Sequence, residues 1–156
     1  MMMELDKYDR AILTCLQDDA LISMDHLAER VHLSRNACWR RIKQMETARV
    51  IQGRSVIVDP AALDLGLSVL VMIRTNAHDA DWVQRFQSAI ATIPEVLGAH
   101  RMTGDLDYVL RLRVADVADY DRVYQQLIRR VPIADISASF VMEDLKDTRV
   151  LPTHIR

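Results

Sequence analysis

Residues 23–48 read SMDHLAERVHLSRNACWRRIKQMETA, and the fold turns on them. Ser23 and Ser34 each stand directly before a stretch with helical spacing, where a serine hydroxyl accepts an amide hydrogen of the first turn. The first stretch, Met24 to Val31, places Leu27, Ala28 and Val31 on one side. His32-Leu33 leaves room only for a tight turn. The second stretch runs from Arg35 to about Ala48, and its apolar residues Cys38, Ile42 and Met45 recur at spacings of four and three. These three mark a core-facing side, while Arg35, Asn36, Trp39, Arg40 and Lys43 fall on the others. A short helix, a brief turn and a longer basic helix make the helix-turn-helix pattern. A DNA major groove admits one helix, whose exposed side chains reach bases and phosphates.

Charge is distributed accordingly. Between Met24 and Val58 there are seven basic residues (Arg30, Arg35, Arg40, Arg41, Lys43, Arg49 and Arg54) against three acidic ones, a local +4 in a chain whose net charge is −2. Residues 1–23 and 59–156 carry −3 each. A basic island in an acidic chain points to an anionic partner, double-stranded DNA above all, although a solvated helix face gives the same count.

Upstream, Asp6 is a natural N-cap, Asp9 suits the helix dipole, and Ile12, Leu13 and Leu16 carry a first helix to about Asp18. Downstream, Val50-Ile51, Gly53 and Ser55 to Val58 read as a small strand pair or wing, ended by Asp59-Pro60. Residues 1–58 then form a winged helix-turn-helix domain and 59–66 a linker.

From Leu67 the periodicity changes. Strands are expected at Leu67–Thr75, Val96–Thr103, Tyr108–Val114 and Ile136–Met142, with amphipathic helices at Asp81–Ile93 and Asp116–Arg130. The order βαββαβ makes residues 67–156 a ferredoxin-like domain and the whole chain α+β. Two helices cover one face of such a sheet. Because LSVLVMIRT (67–75) is apolar at both parities, its second face calls for a second subunit, at least a homodimer.

The composition excludes other classes. Half of the 156 residues are hydrophobic and 27% are charged, so the chain can fill a core. No apolar run approaches the roughly 20 residues that span a bilayer, and Met1 to Met3 lead into Glu4 and Asp6 without a signal-peptide pattern. A cytoplasmic protein with no membrane partner is expected. Cys15 and Cys38 fall in apolar helical registers and read as buried reduced thiols; a redox role for Cys38 is the lesser option. His26, His32, His78, His100 and His154 form no HExxH pair, and Gly53, Gly66, Gly98 and Gly104 form neither GxGxxG nor a P-loop. With no GxSxG elbow either, no catalytic residue, metal site or cofactor is expected, and the chain does not read as an enzyme.

The segments LDKYDRAIL (5–13), HLAERVHLS (26–34), CWRRIKQME (38–46), VLGAHRMTGDLDY (96–108) and SFVMEDLK (139–146) together resemble the Lrp/AsnC, or feast/famine, family of transcriptional regulators. Within it they are most similar to the subgroup of cysteine-responsive detoxification regulators. The resemblance implies a winged helix-turn-helix followed by a ferredoxin-like module that binds small amino acids, assembled as dimers and as homo-octamers. It implies DNA contacts from Ser34, Arg35, Asn36, Trp39, Arg40, Arg41 and Lys43 on the recognition helix. It places an amino-acid effector, cysteine or another small one, at Arg101, Met102, Thr103, Gly104 and Asp105, with Ser137 and Ser139 reaching the cleft from a neighbouring subunit. Amides beside a glycine suit an α-carboxylate, and an aspartate suits an α-ammonium.

The family commonly has glycine after the recognition helix, where this chain reads Ala48-Arg49-Val50-Ile51. Arg49 must therefore adopt a left-handed backbone at a cost of about 1 kcal/mol or end the helix differently. Arg35-Asn36-Ala37 also departs from the small residues or proline usual early in that helix. Alternatives to an amino-acid-responsive regulator are an effector-independent DNA-architectural protein and a ferredoxin-like enzyme or ligand-sequestering protein. Trp39 reads equally as a DNA contact or as surface packing, His100 lies near the cleft, and Asp107 suits a turn.

Overall fold

The computed structural model describes residues 3–77 and 79–153; Met1, Met2, His78 and residues 154–156, which include His154, lie outside the described residues. Two compact units, each with its own apolar core, make up the chain. The first takes the described residues of Met1–Val56 together with those of Lys146–Arg156, and the second takes Ile57–Leu145.

The first unit holds α1 (Lys7–Asp18), α2 (Met24–Val31) and α3 (Arg35–Thr47). Its helix starts follow the sequence reading. Asp6 accepts the amides of Tyr8 and Asp9 at 2.8 and 2.9 Å, Ser23 that of His26 at 3.2 Å and Ser34 that of Ala37 at 3.2 Å. Asp9 returns the bond by accepting the Asp6 amide at 3.1 Å, which completes a capping box. Ile12, Leu27, Cys38, Ile42 and Met45 are buried between the helices, as their spacing predicts.

A clamp of charges ties the third helix to the first. Arg41 Nη1 lies 2.8 Å from Asp6 Oδ2 and 2.8 Å from Asp9 Oδ1, and the guanidinium sits 5.5 Å from the Tyr8 ring centre. The Asp9 side chain is only 3% exposed, so this ion pair satisfies a carboxylate that has left water. The Asp6 carboxyl is held below the usual carboxylate range, chiefly by the Asp9 amide and further by Arg41.

Both α2 and α3 end without glycine. His32 (φ 54°) and Arg49 (φ 57°) are left-handed. Their amides donate to Glu29 and Glu46 carbonyls at 3.3 and 3.1 Å, and the next amides, of Leu33 and Val50, donate to Ala28 and Met45 at 3.0 and 2.9 Å. With Leu33 and Val50 packed on the core, each end is a Schellman closure. Arg49 thus takes the strained option. The same closure accounts for a correction. Val50 and Ile51 both donate back to Met45, so the first arm of the expected wing is turned onto α3. Residues 52–58 form no strand, and Val56 and Ile57 stand 86% and 87% exposed.

The sequence reading carries the C-terminal module to residue 156, while residues 146–153 make their contacts elsewhere. Residues 146–153 belong with the helical unit. Leu151 exchanges two hydrogen bonds with the Gln17 amide at 2.8 and 3.0 Å, Thr153 Oγ1 meets Thr14 Oγ1 at 2.6 Å, and Arg10 donates to the Thr153 carbonyl at 3.3 Å. Only long-range partners on α1 place this segment, and local periodicity carries no trace of them.

The second unit opens with a 3-10 turn, Pro60–Leu63, inside the proposed linker; Asp59 caps it through the Ala61 amide at 3.0 Å. Then follow β1 (Leu67–Arg74), α4 (Ala80–Ala91), β2 (Val96–Arg101), β3 (Tyr108–Val114), α5 (Val117–Arg130) and β4 (Asp135–Phe140). The antiparallel sheet has the order β2-β3-β1-β4, the ferredoxin-like arrangement expected. Val69, Val71, Ile73, Leu110, Leu112 and Val114 are buried on the face that carries the helices. Trp82 stacks on Phe86 at 5.0 Å, Tyr108 approaches Phe86 at 4.7 Å, and the Trp82 indole donates to the Pro132 carbonyl at 2.6 Å. The alternate residues of β1, from Ser68 through Leu70 and Met72 to Arg74, point to the other face, where Leu70 is 38% exposed.

Arg49→Gly should stabilise the helical unit by about 1 kcal/mol, since glycine relieves the left-handed strain. Arg49→Ala, which keeps a Cβ, should leave the denaturation midpoint nearly unchanged. Arg41→Ala should cost about 2 kcal/mol, because it leaves the buried Asp9 carboxylate without its cation. A carboxyl held below its unfolded value contributes stability above that value and loses it as pH falls. Acidification through roughly pH 4 should therefore weaken wild type more than Arg41→Ala in matched denaturant melts.

Candidate functional site

Two sites come out of the residues singled out by sequence. On α3 the buried Cys38, Ile42 and Met45 leave the opposite side to Asn36, Trp39, Arg40 and Lys43, all exposed. Trp39 is 57% exposed and so is not committed to the core. Ser34 opens the helix, but its oxygen already receives the Ala37 amide, so its first task is the cap. Arg35 lies 3.6 Å from Asp25 on α2, a loose exposed pair. Lys43 holds Glu46 at 2.7 Å and Arg54 holds it at 3.2 Å. Lys43 above all, then Arg54, keep the Glu46 carboxyl below the usual carboxylate range. Arg41 is the exception among the DNA-contact residues expected. Its guanidinium is drawn toward α1 by Asp6 and Asp9, so it serves the position of α3 instead of its exposed face. Helical spacing alone could not separate it from Arg40, because the deciding carboxylates lie more than 30 residues upstream.

The second site is the turn between β2 and β3. Its ends are closed by the Met102 amide on the Asp107 carbonyl at 2.8 Å. Asp107 also donates its amide to Ile73 at 3.0 Å and accepts the Thr75 amide at 2.8 Å, which anchors the turn to the end of β1. Arg74 Nε adds a bond to the Asp105 carbonyl at 2.9 Å. Sequence reading gave Asp107 a turn-shaping part but missed Arg74 and Thr75, whose partners lie some 30 residues away. Gly104 has φ 99°, a conformation that a side chain would strain. Among the described residues, the amides of Thr103, Gly104 and Asp105 have no hydrogen-bond acceptor, and the exposed Asp105 carboxylate has no partner. Successive free amides on a fixed turn form an anion-binding concavity, and the adjacent carboxylate suits a cation.

The structure does not bring Ser137 and Ser139 to that turn within the chain. They pair with Met72 and Leu70 on the uncovered face of the sheet, with β1 and β3 between them and β2. At sheet spacing that separation is roughly 14 Å. His100 lies on the same uncovered face, folded over Gly98: a Cβ at residue 98 would sit 3.3 Å from its Nε2. Cys15 and Cys38 are both buried and unpaired, and burial raises the Cys38 thiol above its ordinary range. Such a thiol is a poor nucleophile.

Comparison with known proteins identifies the two domains that carry these residues. Residues 5–46 match the AsnC-type helix-turn-helix domain, and residues 68–151 match the Lrp/AsnC ligand binding domain. The glutamate uptake regulatory protein of Zymomonas mobilis is 44% identical over 152 residues, 97% of this chain and 93% of its own. The DNA-binding transcriptional activator DecR of Escherichia coli is 42% identical over 149 residues, 95% of this chain and 98% of its own. Among solved structures, a transcriptional regulator of Neisseria meningitidis in complex with L-Met superposes with a TM-score of 0.89 at 31% identity, covering 96% of this chain and 97% of the other. No helix of the described residues is long and apolar enough to cross a membrane. An exposed basic helix in a helix-turn-helix and a ferredoxin-like module with a polar turn are the two working parts of one kind of protein: the chain belongs to the Lrp/AsnC family of DNA-binding transcriptional regulators.

Proposed function

We propose that α3 reads double-stranded DNA in the major groove and that a small amino acid held at the Met102–Asp107 turn biases that binding. The observation that carries the reading is the turn itself. Its free amides of Thr103, Gly104 and Asp105 and its unpaired Asp105 carboxylate match the two charges of an α-amino acid. Arg101 and Met102 flank it. The L-Met bound by the Neisseria regulator supports this ligand class, and the subgroup resemblance favours cysteine within it.

On the DNA side, Arg40 and Lys43 neutralise phosphates, Asn36 reads a base edge, and Arg35 and Trp39 flank them near the start of the helix capped by Ser34. The uncovered sheet face makes a homodimer the smallest working unit, and the family resemblance extends it to an octamer in which Ser137 and Ser139 approach a neighbour's turn. A non-catalytic role in the cytoplasm accords with this, as does a division into residues 1–58, a linker at 59–66 and an effector module from residue 67.

DNA titrations at several salt concentrations test the first half. Arg40→Ala and Lys43→Ala should each reduce the salt slope by about one, whereas Asn36→Ala should reduce sequence preference more than overall affinity. Unchanged slopes in both basic variants would move the interface elsewhere. Mobility shifts with added amino acids test the second half. Asp105→Ala should abolish the amino-acid response and leave effector-free DNA binding intact. A wild-type protein indifferent to every amino acid would instead be an effector-independent architectural protein.

A further inference from the structure

Of the seven basic residues between Met24 and Val58, five are ion-paired at 2.7–3.6 Å; among the described residues, Arg40 and Arg49 have no such partner. Two of the five share one carboxylate. Lys43 Nζ lies 2.7 Å from Glu46 Oε2 and Arg54 Nη1 lies 3.2 Å from Glu46 Oε1, so each oxygen holds one cation. Lys43 and Glu46 are three apart on α3, neighbours on one helix face. Arg54 comes from the strandless stretch after the helix, and Glu46 is what sets it beside Lys43. All three side chains reach solvent, Lys43 at 54%, Arg54 at 46% and Glu46 at 25% exposure. None belongs to the apolar core, and exposed ion pairs of this kind hold weakly. Arg41 differs, because its pair includes the buried Asp9 carboxylate.

We infer that Lys43, Glu46 and Arg54 form a phosphate-exchange site: a DNA phosphate replaces Glu46 as the counter-ion of both cations, so that Arg54 joins the DNA interface and Glu46 restrains sequence-independent affinity. The inference rests on the reading that α3 faces DNA. It adds one contact from beyond the helix and one residue that opposes binding. A phosphodiester presents two oxygens that share one negative charge, the same pattern as a carboxylate, and an arginine fork accommodates either. The exchange therefore asks for no new cation geometry. Its cost is the Glu46 charge, which loses its partners and is left close to phosphates of the same sign. Arg40 has no such competitor and meets a phosphate at once. Phosphate contacts carry no sequence information, so a carboxylate that competes for them lowers attraction to any duplex.

Fluorescence anisotropy of the full-length protein on a short random-sequence DNA duplex, at several salt concentrations, decides the matter. Glu46→Gln should tighten binding by about fivefold at low salt and steepen the salt slope, because two freed cations displace more of the counterion atmosphere. Glu46→Asp, which keeps the charge, should stay within about twofold of wild type. Arg54→Gln should flatten the slope by about one, and its position outside the helix keeps this arm clear of any effect on α3 folding. In a Lys43→Gln/Arg54→Gln background no cation remains to be released, so Glu46→Gln should there gain less than about twofold. An equal gain in that background overturns the exchange, since the charge would then act by simple repulsion. Unchanged affinity in Glu46→Gln, or an unchanged slope in Arg54→Gln, overturns it as well. If Arg40→Ala still flattens the slope in that case, the α3 reading survives alone. Slopes indifferent to Arg40, Lys43 and Arg54 alike overturn both.

Discussion

A four-stranded sheet with two helices can bury one face only, and much of this protein follows from that limit. The helix-bearing face takes the large apolar residues of β1 and β3 and the Trp82, Phe86 and Tyr108 cluster. The other face must be wet or shared. Its composition is mixed: Leu70 and Met72 stand beside Ser68, Arg74, Ser137 and Ser139. Such a surface suits a contact between folded subunits better than a core, because it survives exposure before assembly. The proposed effector turn lies at the end of β2 and β3. Strands that end in a turn anchored by Asp107 can present backbone amides outward without loosening the sheet beneath.

The helical unit obeys a different constraint. Three short helices cannot bury enough surface to fix their angles by packing alone, so polar groups at the helix ends set them. Asp6 and Asp9 cap α1 and then hold Arg41, so the cap of one helix doubles as the anchor of another. Placing one arginine inward leaves Arg40 and Lys43 to the exposed side. The electrostatic face offered to DNA is therefore a product of the fold's own ion pairs as much as of its count of basic residues. Residues 146–153, hydrogen-bonded along α1, add a second attachment of the chain to this unit.

What the sequence disclosed and what it hid divide along sequence distance. Every helix start of the first unit was readable because Asp6, Ser23 and Ser34 act within their own first turn. The βαββαβ order was readable from local periodicity. The inward turn of Arg41, the Arg74 bond to the turn and the docking of residues 146–153 were not, since each depends on a partner 31 to 143 residues away. The wing failed for a local reason that propensity reading underweights. Val50 and Ile51 look like strand residues, yet closing α3 without a glycine demands their amides first. A helix end left open costs more than an exposed hairpin gains.

The two candidate sites lie in different units, and that separation constrains how one can inform the other. An amino acid that changes DNA binding must shift a balance between states of the protein. Coupling exists only if the amino acid binds two such states with different affinity, and the DNA must distinguish the same two. A turn at the sheet's end is well placed for this. Its free amides and the Asp105 carboxylate are exposed, so a neighbouring subunit can complete or compete for them. On the proposed reading, an effector that neutralises those charges changes what a neighbouring subunit meets there. On the proposed reading, regulation is a matter of which state the amino acid favours.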